Sequence, residues 1–260
     1  MKEPDTDQLL EVAVSSAHAA GDHAMRNRMR RRETEEVFAH DIKLKLDIES
    51  QEKAFKVIND AFPGHAVLGE EGDMRRDTSR PCWIVDPIDG TVNFSHGMPI
   101  WCSSVAVEIN GEVRAGCVYL PEMDECYTAS LDQPSECNGH RIQPSGAASL
   151  DEALILTGLT KNVKANSPAF NVFESMSLHA RKVRIMGAAA VDICHVASGR
   201  ADAYVETGIY LWDVAAAGFI ARQAGARTEV LKELGEFKMQ YLCTNGPLHN
   251  DIRKLFIESA

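Results

Sequence analysis

Apolar positions recur at helical spacing between residues 8 and 30, and again through "DIESQEKAFKVINDAF", where Ile48, Phe55, Ile58 and Phe62 fall on one side. Asp47, at the head of that second run, stands where a helix N-cap belongs. The period then shortens. "CWIVD" is an apolar run ending in a carboxylate, and "SSVAVEINGEVRAGCVYLP" alternates as two strands around Asn110-Gly111, a hairpin signal, with "ECYTA" as a third strand. The turn-rich "CNGHRIQPSGAASL" separates an N-terminal half, 1–148, from a C-terminal half, 149–260. Beyond it "EALILTG", "KVRIM", "DAYVE" and "CTN" read as strands. They alternate with helices in "PAFNVFESMSLHA", "AAAVDICHVASG", "DVAAAGFIARQAG" and "PLHNDIRKLFIESA", with Gly199 and Gly225 at helix C-termini. That order is α/β organisation.

Composition narrows the function classes. A chain of 260 residues with 45% hydrophobic content suits one large domain, or two halves sharing a core. Its net charge of -11, with no long basic block beyond Arg30, Arg31 and Arg32, argues against a nucleic-acid partner held through phosphates. The start "MKEPDTDQ" and the mixed stretch Leu9 to Met29 do not read as a secretory signal, and no run approaches a membrane span. Seven cysteines without a C-x-x-C pair fit reduced thiols in the cytoplasm. Nine histidines without an H-E-x-x-H or an i, i+4 pair leave a hard, oxygen-bound ion as the metal to expect, if there is one.

The candidate chemistry lies in carboxylates beside tight turns. In "DPIDGT", Pro87 fixes one backbone angle and Gly90 permits an unusual one directly after an apolar strand. Such a strand-to-turn-to-helix junction can aim Asp86, Asp89 and the Ile88 carbonyl at one cation. The amides of Gly90 and Thr91 and the Thr91 hydroxyl suit an anionic phosphate. The hexapeptide alone equally suits carboxylates that only make turn and cap hydrogen bonds. Taken singly, Glu70 in "GEEG" reads as a solvated loop acid and Asp213 in "IYLWDVAAAG" as an N-cap.

The whole order, Asp47, the "GEE" pair, "WIVDPIDGTVNF" and "WDVAAAG", resembles the inositol monophosphatase family of metal-dependent phosphatases over nearly the full chain. The resemblance implies one catalytic domain over 1–260, folded as the layered αβαβα sandwich shared with fructose-1,6-bisphosphatase. It also implies a homodimer that hydrolyses small phosphomonoesters with two or three Mg²⁺ ions per site. Carried over by position, Glu70, Asp86, Asp89 and Asp213 look like the metal carboxylates, with the Ile88 carbonyl as a further ligand. Asp47 and Thr91, with Glu70, look like the residues that position and activate the attacking water. Asp89, Gly90, Thr91 and Asp213 would border the substrate, and Glu206 resembles a residue that contacts sugar or cyclitol hydroxyls.

The chemistry needs these residue types, because a doubly negative phosphate monoester repels hydroxide unless cations neutralise the transferring group. Water is then the nucleophile, and no phosphoenzyme is expected. Ala188 stands where the family often has a hydroxyl residue, which counts against myo-inositol phosphate itself. The segment "RRRETEEVFAH" before Asp41 does not reproduce the family's basic loop near a third metal, so lithium sensitivity is not carried over. Val92-Asn93-Phe94 after "DGT" disfavours 3′-phosphoadenosine phosphate, while fructose-1,6-bisphosphate and histidinol phosphate stay as alternatives. Lys161 and Lys164 fall near where substrate would enter, although exposed lysines on loops are commonly only solvated. Dehalogenase-like phosphatases use D-x-D-G-T, whereas Asp86 and Asp89 are three apart. A non-catalytic metal-binding protein would need neither Thr91 nor Asp47. Asp192 and His195 are expected to make local hydrogen bonds only, and Trp83 and Trp212 to pack beside the ligand turns.

Overall fold

Helices cover both faces of two sheets, one of seven strands and one of five. The computed structural model describes residues 5–37, 42–72, 76–77, 79–159, 164, 167–235 and 237–260. Helix α1 (Thr6–Arg26), the hairpin β1 (Thr34–Val37) and β2 (Ile42–Leu44), and helix α2 (Lys45–Ala61) come first. Next are β3 (Ala66–Gly69), β4 (Cys82–Asp89), the short helix α3 (Thr91–His96), β5 (Cys102–Ile109), β6 (Glu112–Leu120), β7 (Glu125–Ser130), β8 (Glu136–Cys137) and β9 (His140–Arg141). Strands β3 to β9 form the larger sheet in chain order, with β3 and β4 parallel and the remaining pairs antiparallel.

The C-terminal part runs β10 (Leu154–Thr157), α4 (Pro168–His179), β11 (Lys182–Arg184), α5 (Ala189–Ala197), β12 (Ala203–Tyr210), α6 (Leu211–Ala224), β13 (Arg227–Gly235), β14 (Lys238–Thr244) and α7 (His249–Ser259). Its sheet has the order β11-β10-β12-β14-β13, parallel through the first three and antiparallel at β14 and β13. Helices α1 and α2 lie on one side of the larger sheet, α5 and α6 lie between the sheets, and α4 and α7 cover the far side of the smaller one. The layers are therefore αβαβα, as the resemblance implies.

Local sequence explains the elements. Asn110 (φ 54°) and Gly111 (φ 82°) both adopt the left-handed backbone that a two-residue hairpin needs, so the predicted β5–β6 hairpin forms. Helix α6 buries Trp212, Val214 and Ala215 through Ala221 because it is sandwiched between two sheets and has no solvent face. Small residues set its approach: a Cβ on Gly116 of β6 would sit 3.2 Å from the Ala216 Cα, and one on Gly218 would sit 2.2 Å from the Tyr241 hydroxyl.

Three expectations need correction. Helix α2 starts at Lys45 with Leu44 as its N-cap, so Asp47 is the third helical residue and not the cap. The buried residues of α2 are Leu46, Asp47, Ser50, Gln51, Ala54 and Ile58; Ile48, Phe55 and Phe62 are half-buried. The stretch "RTEVLKELG", not predicted as a strand, is β13, an edge strand that is largely exposed. Its charges keep it from pairing further, and they also hide the apolar alternation that identifies buried strands.

Gly218→Val is expected to overpack the α6–β14 contact and lower stability by about 1–3 kcal/mol, or roughly 2–4 °C in Tm for each kcal/mol. Urea unfolding of Gly218→Ala with and without Tyr241→Phe checks the cause: removing the hydroxyl should recover much of the loss. Additive losses would show that the contact is not what excludes a side chain.

Candidate active site

Parallel pairing of Gly69 with Val85 leaves Glu70, the first residue after β3, beside Asp86 within β4, and the Glu70 N–H donates to the Val85 carbonyl at 3.1 Å. The Gln51 side chain clamps the "GEEG" turn, accepting from the Glu71 N–H at 3.0 Å and donating to the Glu71 carbonyl at 2.7 Å. Residue 69 must be glycine here, because a Cβ would lie 2.0 Å from the Gln51 Oε1. Lys43 holds the Glu71 carboxylate at 2.5 Å.

In a regular strand, residues three apart face opposite sides. Asp86 and Asp89 escape this because β4 bulges between them: Asp86 pairs with Ser104 and Asp89 with Cys102, three steps on one strand against two on the other. Asp86 Oδ1 accepts from the Ile88 N–H at 3.0 Å, which holds the bulge. Gly90 (φ 91°) turns the chain into α3, where a Cβ would meet the Ala188 Cβ and the Ile100 carbonyl at 3.0 Å. The Thr91 hydroxyl donates to the Ile88 carbonyl at 2.9 Å.

Two aspartates enter from helices in the same way. Asp47 accepts from the Leu44 N–H at 2.7 Å and Asp213 from the Tyr210 N–H at 3.0 Å, each from the third helical position back to the N-cap amide. Asp213 is thus not the cap of α6, as its flanking sequence suggests when taken alone. Asp89 caps a different helix: its carboxylate accepts from Ala189 at 3.2 Å and Ala190 at 2.7 Å, the first amides of α5. Residue 188, an alanine, supplies no capping side chain of its own.

Among the described residues, Asp86, Asp89 and Asp213 bring one oxygen each within 4.8 Å of one another. Burial, then the charges of Glu70, Asp89 and Asp213, push the Asp86 carboxyl well above its ordinary range. Burial pushes Asp89 up to about 6, against the Ala190 and Ala189 amides that hold it down. Buried oxygens that repel one another, beside a backbone carbonyl, suit a hard divalent cation.

These groups open onto a cleft of about 260 Å³, lined by Glu70, Asp86, Ile88, Asp89, Gly90, Thr91, Glu206 and Asp213 of the expected set. Asp47 is not on its wall; Leu44 and Leu46 beside it pack with Ile88, Phe94 and Trp101 behind the turn. Glu206 takes a hydrogen bond from the Tyr204 hydroxyl and packs against Gly158, where any side chain would collide with the carboxylate. Trp212 stacks on Tyr210 at 5.0 Å, and the Trp83 indole donates to His65 at 3.0 Å. Lys161 and Asp41 lie outside the described residues, and Lys164 is exposed and away from the cleft. Asp192 overturns its expectation, since it lines the cleft and its buried Oδ1 makes no hydrogen bond. A lone acid inside the apolar run "AAAVDICHV" was the signal that could have found it.

The family model described as "Inositol monophosphatase family" matches residues 5–257. The chain is 32% identical to the "Nus factor SuhB" of Vibrio cholerae over 84% of this chain and 83% of that one. It is 34% identical to the "Fructose-1,6-bisphosphatase/inositol-1-monophosphatase" of Thermotoga maritima, again over 84% and 83%. A solved Thermotoga maritima IMPase superposes with a TM-score of 0.84 at 30% identity, covering 96% of this chain and 97% of that one.

Between the ordinary aspartate value of 3.8 and about 6, the folded cation-free protein holds protons that the unfolded chain has released. These groups therefore stabilise the fold at low pH, and that contribution is lost as pH rises through the window. A cation bound by these carboxylates would take the place of those protons. The Tm gain from Mg²⁺ over chelator should grow as pH rises and fade as pH falls through about 6, where Asp89 takes up its proton. Buried His249 and half-buried His65 and His195, whose pKa values desolvation lowers, titrate with and without the cation and so drop out of this difference. A gain that does not change with pH would place the cation elsewhere.

Proposed function

We propose that this chain, which belongs to the inositol monophosphatase family and is a phosphoric monoester hydrolase, uses Mg²⁺ to hydrolyse a small phosphorylated polyol or sugar with water as the nucleophile. The convergence of Asp86, Asp89 and Asp213 at the cleft carries this reading. These three, with Glu70 and the Ile88 carbonyl, would hold the ions. Bound divalent cations would neutralise the phosphate oxygens and lower the pKa of water.

The chain's own residues do the rest. The Thr91 hydroxyl, committed as a donor to the Ile88 carbonyl, keeps lone pairs that can accept a hydrogen bond from the attacking water and orient it, and buried Asp47 holds the Leu44 amide where Leu44 and Leu46 pack behind that turn. Gly90 and Thr91 line the cleft, where their amides would meet the phosphate, and Glu206 on the same wall would take the hydroxyls of the departing alcohol. The protein acts as a single catalytic domain and as a homodimer. Free cysteines at every position agree with a reducing, cytoplasmic setting. No helix among the described residues is long and apolar enough to cross a membrane.

One observation favours a second reading. Lys238, 5.4 Å from the Tyr210 ring centre, is the sole lysine or arginine on the cleft wall among the described residues, and it could meet a second phosphate. The name of the Thermotoga maritima relative agrees with such a bisphosphate.

Phosphate release from inositol phosphates, fructose-1,6-bisphosphate and histidinol phosphate, with Mg²⁺ and with chelator, tests both readings. Turnover should require the cation, and Asp89→Asn should lower kcat on the order of 100-fold or more. Undiminished turnover in chelator, or a trapped phosphorylated side chain after acid quench, would sink the mechanism.

A further inference from the structure

We infer that Asp192 is a second acceptor for substrate hydroxyls, working with Glu206, so that the cleft selects monophosphates whose polyol presents hydroxyl donors to both carboxyls. This rests on the phosphatase reading above and specifies its substrate class.

Asp192 is 1% exposed, and its Oδ1 has no hydrogen-bond partner, although the residue lines the cleft. A buried polar oxygen without a partner is costly, and it persists where a ligand or water completes it. Its neighbours include Asp89 and Glu206, whose charges, after burial, push the Asp192 carboxyl well above its ordinary range. The carboxyl keeps acceptor oxygens in either protonation state. Among the described residues no lysine or arginine forms an ion pair with it, and it is not part of the metal-sized cluster of Asp86, Asp89 and Asp213.

Its position is tied to the phosphate end. Asp89 grips the first amides of α5, and Asp192 follows Ala190 by two residues, a rise of about 3 Å along the helix. Helical side chains lean towards the N-terminus, which directs Asp192 back to the cleft. Glu206 is held independently by the Tyr204 hydroxyl. Two acceptors at fixed distances from one phosphate site make a ruler for hydroxyls. They also repel a second anionic group at that end, so the monoester is favoured over a bisphosphate there.

The test compares kcat/KM for inositol 1-phosphate, its single-deoxy analogues and phenyl phosphate, using Mg²⁺-loaded wild type, Asp192→Ala and the near-isosteric Asp192→Asn. The ratio of polyol to phenyl ester should fall about 10- to 100-fold in Asp192→Ala, chiefly through KM. One deoxy analogue should be penalised in wild type and no longer in the variant. An unchanged ratio, or an equal loss for all substrates with a lowered Tm, would make Asp192 a structural acid of the first α5 turn and overturn the inference. If wild type hydrolyses none of these esters with Mg²⁺, the phosphatase reading itself falls and takes the inference with it.

Discussion

Mutual repulsion among Asp86, Asp89 and Asp213 is the constraint around which the cleft is built. Their oxygens lie within 4.8 Å, where a charged pair repels by about 3–4 kcal/mol at an effective dielectric near 20. Burial of Asp86 and Asp89 removes the water that would relieve this. The fold tolerates the arrangement because each acid is tied to a backbone amide: Asp86 to Ile88, Asp89 to Ala189 and Ala190, and Asp213 to Tyr210. Raised carboxyl pKa values are the remaining strain, which a bound cation would relieve.

The same bonds join the layers. Asp89 ends a strand of the larger sheet while capping α5, and Asp213 begins α6, which is buried between both sheets. Small residues at Gly116, Ala216 and Gly218 let that helix approach each sheet closely enough for Asp213 to reach the end of β4. The central core is therefore the scaffold of the site, and packing changes at α6 act on the spacing of the acids.

Much of this was legible. The β5–β6 hairpin, the alternating C-terminal half and the acids beside turns follow from periodicity and turn chemistry, which depend only on near neighbours. Edge strand β13 is not legible, because its charges obscure the alternation, and the local bonding expected of Asp192 is missing at its buried Oδ1 among the described residues. The flanking sequence marks Asp47 and Asp213 as helix-start acids but places them at the cap, whereas each is the third helical residue. A carboxylate at the third position that reaches back to the cap amide has nearly the same local sequence signature.

The sequence by itself determined which residues carry charge next to tight turns, and which segments could be strands or helices, since side-chain chemistry and backbone preference are properties of short stretches. Only the tertiary structure decided that these acids meet. The bulge at Pro87 and Ile88 turns Asp86 and Asp89 to one side, α5 finds its cap on a strand about one hundred residues earlier, and α6 carries Asp213 in from the other half. Contacts at that sequence separation are set by how layers pack, and no local pattern encodes them.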